Sequence, residues 1–225
     1  MNRILQTSGL FLLVLLSGCD QKQEALPVAH PQNQPKSDSI AVSEIGADAM
    51  PPSVSYEGML TKAVRWRDDL GDNIVILSAS GLQRSDRFRH EFDDSSDAEL
   101  FAYHYTVRPG QAQQVWKMYD FVADCPVDIV AEFNPDFPRI TDLDHNGVAE
   151  VWVMYKADCH GDVSPVTMKL IMYEGNKKYA MRGDSRVQVG GDEYAGGAYN
   201  LDKAFRSAPP SFRNYAVRMW KEQLR

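Results

Sequence analysis

Two cysteines, Cys125 and Cys159, bracket a stretch whose centre reads Thr141-Asp142-Leu143-Asp144-His145-Asn146-Gly147-Val148-Ala149-Glu150. Carboxylates two residues apart, a carboxamide two further on, and a glycine for the sharp turn form an oxygen-rich loop. Such loops can converge on a hard cation, which takes six to eight oxygen ligands when it is calcium. Asp142, Asp144 and Asn146 supply side-chain oxygens, Val148 can supply a main-chain carbonyl, and Glu150 closes the set. Apolar, β-prone segments flank the loop on both sides, so it is expected between strands. A plain acidic hairpin turn, rich in Asp, Asn and Gly, is the competing reading.

The chain has three cysteines. The first, Cys19, ends the run Leu16-Ser17-Gly18-Cys19 after an apolar segment, Leu10 to Leu16, and a positive start at Arg3. That segment is too short to span a bilayer, which takes about 20 apolar residues. It reads as a secretory signal, and its end resembles the bacterial lipobox, in which cleavage precedes an acylated cysteine. The resemblance implies residues 1–18 as signal peptide, Cys19 as the lipidation site, and palmitate among the attached chains. It places the protein in the bacterial cell envelope, lipid-anchored and facing the periplasm. Asp20 favours the inner membrane, with the outer membrane as the alternative. If Cys19 is acylated, Cys125 and Cys159 remain as one pair. In an oxidising compartment that pair is expected as a disulfide, with two free buried thiols as the alternative.

Residues 19–55 read as a disordered tether. Gln, Pro, Ser and Ala dominate, Pro27, Pro31, Pro35, Pro51 and Pro52 punctuate it, and no apolar period survives. Such a composition buries too little surface to offset ordering entropy. Residues 56–225 then form a single domain of roughly 170 residues, enough for a sizeable core. The formal charge of −7 argues against nonspecific nucleic-acid binding, which relies on clustered basic residues.

Strand signals recur along this domain. Lys62–Arg67 alternates, Gly71-Asp72-Asn73 is a turn, and Ile74–Leu77 returns as a hairpin. Further strands are expected over 99–108, 114–122, 127–133, 137–141, 151–155, 166–173 and 178–182. The acidic run Asp93 to Asp97 is expected in a solvated loop, and His104 on a strand face. Helices are expected over 201–206 and 211–224, with Ser211 as an N-cap. The fold class is therefore mainly β, an antiparallel meander of sandwich or barrel type with short C-terminal helices. The Gly-rich connector 190–200 carries Tyr194 and Tyr199, a candidate partner-binding surface or a plain linker.

Two family resemblances add to this. The loop is not an EF-hand, because Val153 stands at the twelfth position and the flanks are strands. It resembles the β-embedded calcium loops of FG-GAP-type repeats, which implies calcium. The block from Cys125 through Asp142-Leu143-Asp144, Gly147, Ala149-Glu150-Val151, Cys159, Asp162 to Pro165, Lys169-Leu170 and Lys178-Tyr179-Ala180 resembles a bacterial envelope lipoprotein family described as surface polysaccharide biosynthesis proteins. It implies an envelope role without a defined chemistry. The leading expectation is a non-enzymatic, calcium-stabilised module that binds a glycan or an envelope protein. The alternatives are an enzyme of envelope polysaccharide processing and a periplasmic inhibitor or immunity-type lipoprotein.

Overall fold

The alternating segments pair as two antiparallel sheets. The computed structural model describes residues 40–109 and 111–224, so Cys19, Asp20 and the signal segment lie outside the described residues. Sheet one holds β1 (Val42–Glu44), β2 (Met59–Asp68), β3 (Gly71–Ala79), β4 (Ser96–Arg108) and β5 (Gln111–Cys125), in that spatial order. Sheet two holds β6 (Ile129–Phe133), β7 (Arg139–Thr141), β8 (Glu150–Cys159), β9 (Thr167–Glu174) and β10 (Lys177–Asp184). After the small hairpin β11 (Arg186–Gly190) and β12 (Glu193–Gly196), β13 (Tyr199–Leu201) returns to pair β10. The order is β13-β10-β9-β8-β6, with β7 also on β8. Helices α1 (Lys203–Arg206) and α2 (Pro210–Glu222) close the chain. This is the mainly β, antiparallel class that the strand spacing predicts, arranged as a sandwich.

Three apolar layers explain the burial. Val64, Trp66, Val75, Leu77 and Trp116 of sheet one meet Val151, Val153, Tyr155, Ile171 and Tyr173 of sheet two. Beneath sheet two, Trp152, Met154, Leu170 and Tyr179 pack on Phe205, Phe212, Met219 and Trp220 of the helices. Outside sheet one lie Ile74, Ile76, Phe101, Tyr103 and Tyr105. Ile74–Leu77 and Val151–Tyr155 are buried on both faces, which is why they are continuous apolar runs rather than alternating ones. In α2, Phe212, Ala216, Met219 and Trp220 form one buried stripe, and each large side chain contributes roughly 1.5–3 kcal/mol. Among the described residues no helix is long and apolar enough to cross a membrane.

Three expectations are corrected. The tether does not reach residue 55, because Val42–Glu44 pairs with β2 and Ile45, Met50, Val54 and Tyr56 cover the outer face of sheet one. Their irregular spacing, across Pro51 and Pro52, carries no strand or helix period. Helix α2 starts at Pro210 with Pro209 as its N-cap residue, so Ser211 lies within the first turn. Proline's fixed φ suits the first helical position. Asp97 is fully buried rather than solvated, accepting from Ser85 N–H at 2.6 Å and Asp124 N–H at 2.8 Å, with His90 Nε2 2.7 Å away.

The disulfide forms between Cys125 and Cys159, Cα atoms 5.6 Å apart. It joins the end of β5 to the end of β8, and so ties one sheet to the other.

His104 sits inside the sandwich, 2.9 Å from Asn73 Oδ1 through Nε2. Its ring lies between Trp66 at 5.3 Å and Trp116 at 5.5 Å, and Trp116 stacks on Tyr173 of the other sheet at 4.1 Å. Burial disfavours the imidazolium and pulls the pKa down to about 4, against a smaller upward pull from Asp68. Between pH 6.5 and about 4 the unfolded chain therefore binds more protons than the folded one. This part of the stability is complete above pH 6.5 and is lost as the pH falls through that window, about 3 kcal/mol in all. Urea unfolding at pH 7 and pH 4.5 should show this loss in the wild type. In His104→Phe the difference should be smaller by most of that amount, roughly 2–2.5 kcal/mol between these two pH values; an unchanged acid dependence would contradict the buried neutral imidazole.

Candidate metal centre

Strands β7 and β8 place the acidic loop. Thr141 pairs with Glu150, so residues 142–149 form the connection. The backbone turns sharply at His145 (φ 59°) and Gly147 (φ 83°), and the glycine takes that left-handed conformation without a Cβ penalty. Side chains curl the loop from within. Asp142 Oδ2 accepts from Gly147 N–H at 3.1 Å, Asp144 Oδ1 from Asn146 N–H at 3.2 Å, and Asn146 Oδ1 from Val148 N–H at 2.7 Å.

Three carboxylates converge. Asp142, Asp144 and Glu150 each offer a ligand oxygen, all within 4.8 Å of one another. Glu150 is fully buried and Asp142 is 6% exposed, while Asp144 faces solvent. Glu150 is fixed by Thr141 Oγ1–H at 2.6 Å and by Leu143 N–H at 3.0 Å. Thr141 Oγ1 in turn accepts from Trp152 Nε1–H at 2.8 Å. Burial pushes the Glu150 pKa up to about 7, opposed by the bonds from Thr141 and Leu143 and assisted by the charges of Asp144 and Asp142. Asp142 Oδ1 is buried with no hydrogen-bond partner. A buried acceptor left unpaired is uncommon and calls for an explanation. A metal ion held between these groups would supply one, because it would pair that oxygen and offset the repulsion around Glu150. The acidic triad can hold a metal ion.

The loop also touches the other sheet. Asp68, at the end of β2, accepts from Ala149 N–H at 3.1 Å, and Asp69 N–H donates to Gly147 C=O at 2.8 Å. The same Asp68 carboxylate accepts from Trp66 Nε1–H at 3.0 Å, Leu70 N–H at 2.9 Å and Asn73 Nδ2–H at 2.8 Å. The sequence marks Asp68 only as a residue before a turn; its bond to Ala149, 81 positions away, has no local signal.

Of the predicted ligands, the structure brings Asp142, Asp144 and Glu150 together. Asn146 joins them differently from expectation. Its oxygen closes the turn onto Val148 N–H, while its amide donates to Asp144 Oδ2 at 3.1 Å and to Glu174 Oε1 at 2.7 Å. Val148 is half-buried beside it.

The two tyrosines do not share a surface. Tyr194 is 52% exposed on β12, with the Arg186 guanidinium 4.4 Å from its ring centre. Tyr199 turns inward on β13 and packs on Trp220, ring centres 5.8 Å apart. The glycines around them read as a mobile display in sequence, whereas Trp220 Nε1–H donates to Gly197 C=O at 3.1 Å and anchors the segment to α2.

No family model, no curated protein and no solved structure matches the chain.

Proposed function

We propose that this chain is a non-enzymatic envelope lipoprotein, anchored through Cys19, whose sandwich is stabilised by one calcium ion and binds a glycan or an envelope protein. Asp142, Asp144 and Glu150 hold the ion, and the Val148 carbonyl and the Asn146 side chain complete its shell after a small rearrangement of the amide. The unpartnered, buried Asp142 Oδ1 carries this reading. Oxygen-only donors suit calcium better than zinc or copper, which favour nitrogen and sulfur. The lipid anchor and the place in the envelope rest on the lipobox resemblance, and the partner class on the resemblance to the polysaccharide-associated lipoproteins.

A polysaccharide-processing enzyme is less well supported. It requires two carboxyl groups flanking a bound sugar, one with a raised pKa. Glu150 has the raised pKa, but it is fully buried and bonded to Thr141 and Leu143.

The test is thermal unfolding of the full chain with calcium and with a chelator. At a hundredfold excess over Kd one site adds about 2.7 kcal/mol, a rise of roughly 5–10 °C for a domain of this size. Asp142→Asn should abolish the rise. An equal rise in that variant would refute the site. For the anchor, metabolic labelling with an alkyne fatty acid should mark the wild type and leave Cys19→Ala unlabelled; equal labelling would refute it.

A further inference from the structure

Lys169, Lys178 and Arg182 gather on the inner face of sheet two. Lys169 of β9 stands directly opposite Arg182 of β10, and Lys178 stands opposite Tyr173 further along the same ladder. Alternate residues of a strand share a face, so Lys178, Ala180 and Arg182 point the same way, and Ala180 lies in the layer between the sheets. Trp116 of β5 stacks on Tyr173 and covers β9 there, but β5 is the last strand of sheet one. Lys178 and Arg182, one strand further out, are exposed. Lys178 Nζ lies 5.9 Å from the Tyr173 ring centre. Like charges directly opposite one another are destabilising, so the Lys169–Arg182 pair calls for negative charge beside it. Asp120, pointing inward from β5, supplies part of it. Its carboxylate accepts from Lys169 Nζ at 2.5 Å and from Tyr155 O–H at 2.7 Å. Asp202 also faces Lys178, and its carboxylate accepts from Ala180 N–H at 3.0 Å and Phe205 N–H at 2.8 Å. Asp184 follows Arg182 at the end of β10. Among the described residues neither Lys178 nor Arg182 forms an ion pair with any of these acids. Partial burial, and next the Arg182 charge, holds the Lys178 pKa below the ordinary lysine range; Asp120 and Asp202 oppose this, and Lys169 adds to it.

We propose that this shelf beside the β5 edge binds an acidic saccharide, with Lys178 and Arg182 meeting its carboxylate groups. The inference rests on the glycan-binding reading above and gives it a place and a ligand charge. Lys178 and Arg182 are four positions apart on one strand, so their Cα atoms stand about 13 Å apart at roughly 3.3 Å per residue. A chain of several sugars can reach both. The guanidinium fork of Arg182 suits a planar carboxylate. In a protein of net charge −7, attraction of a polyanion depends on a local cluster of this kind. An extended acidic peptide carries the same charge, but beside a free edge it docks by adding a strand. An inward-pointing charge at that edge, here Asp120, discourages strand addition.

Calorimetric titration of the full-length protein with hexagalacturonate tests this, in calcium-free buffer because calcium binds such chains itself. The methyl-esterified hexamer has the same sugar backbone without the charge. The acid hexamer should bind, and the ester should bind roughly tenfold more weakly or worse, as the loss of two exposed charge pairs implies. Added salt should weaken the acid hexamer. Lys178→Gln and Arg182→Gln should each weaken its binding about fivefold, the upper range for an exposed pair, and Arg182→Lys should keep most of it. Arg108→Gln, at the exposed end of β4, removes the same charge elsewhere and should change nothing. Thermal melts of each variant check that the fold is retained. Hexamer binding that both glutamine variants leave unchanged, or equal binding of the ester, would overturn the shelf and leave the glycan reading standing. Binding of hexaglutamate in place of hexagalacturonate, with the same dependence on Arg182, would assign the shelf to an acidic protein segment and overturn the saccharide. Absence of binding by both sugar hexamers would overturn the inference and remove the glycan from the proposed function as well.

Discussion

Asp68→Ala should lower the unfolding free energy by about 3–4 kcal/mol, because hydrogen bonds to a charged acceptor contribute roughly 1.5–3 kcal/mol each and an abandoned buried donor adds its own penalty. The carboxylate accepts from Trp66, Leu70, Asn73 and Ala149. The first three brace the β2–β3 turn, and the fourth reaches the acidic loop on the other sheet. Trp66 is 3% exposed and Asn73 is fully buried, so water cannot freely replace what is lost. Asn73 also positions His104 through Oδ1, which extends the damage toward the middle of the sandwich. Urea unfolding monitored by tryptophan fluorescence would measure the loss. The same variant should bind calcium more weakly, because Ala149 N–H is no longer held next to Glu150. A stability change below about 1 kcal/mol, within the range of an ordinary surface position, would contradict this role.

Replacing both cysteines, Cys125→Ala with Cys159→Ala, should be comparably severe. The crosslink closes a separation of 34 residues. The loop-closure entropy it removes from the unfolded chain corresponds to about 3–4 kcal/mol. Cys125 is 1% exposed among the residues between the sheets, so truncation also loosens packing there. The urea dependence should steepen, since the unlinked unfolded chain exposes more surface. Calcium should still raise the melting temperature of the double variant, because Asp142, Asp144 and Glu150 are fixed by local bonds within the loop and its flanking strands. A loss of calcium response with the fold retained would show that the crosslink, rather than the loop, sets the site.

The sheet-forming segments were legible where one physical rule dominated. Alternation marks Lys62–Arg67, and the continuous run Val151–Tyr155 marks a strand buried on both faces; both lie within observed strands. The covering segment 40–57 was illegible because its apolar side chains follow the contour of an existing sheet, and such a contour has no period of its own. The acidic loop was legible because its spacing is local: Asp142 and Asp144 stand two positions apart, with Gly147 and Glu150 completing the turn. The carboxylates that lie beside it from elsewhere were not. Asp68 and Glu174 reach the loop from 81 and 28 positions away, and only the sheet register brings them there. The disulfide followed from compartment and count, whereas its role as a tie between sheets depends on strand order. Tyr199 shows the opposite failure, since its glycine-rich surroundings imply exposure, while Trp220 draws the ring inward.

Calorimetric titration of the full chain with calcium tests the metal centre most directly. Saturable binding of about one ion per chain is expected, lost in Asp142→Asn and much weaker for magnesium. Absence of calcium binding in the wild type, with the disulfide formed and the protein folded, would reduce residues 142–150 to an acidic turn and contradict the proposed metal site.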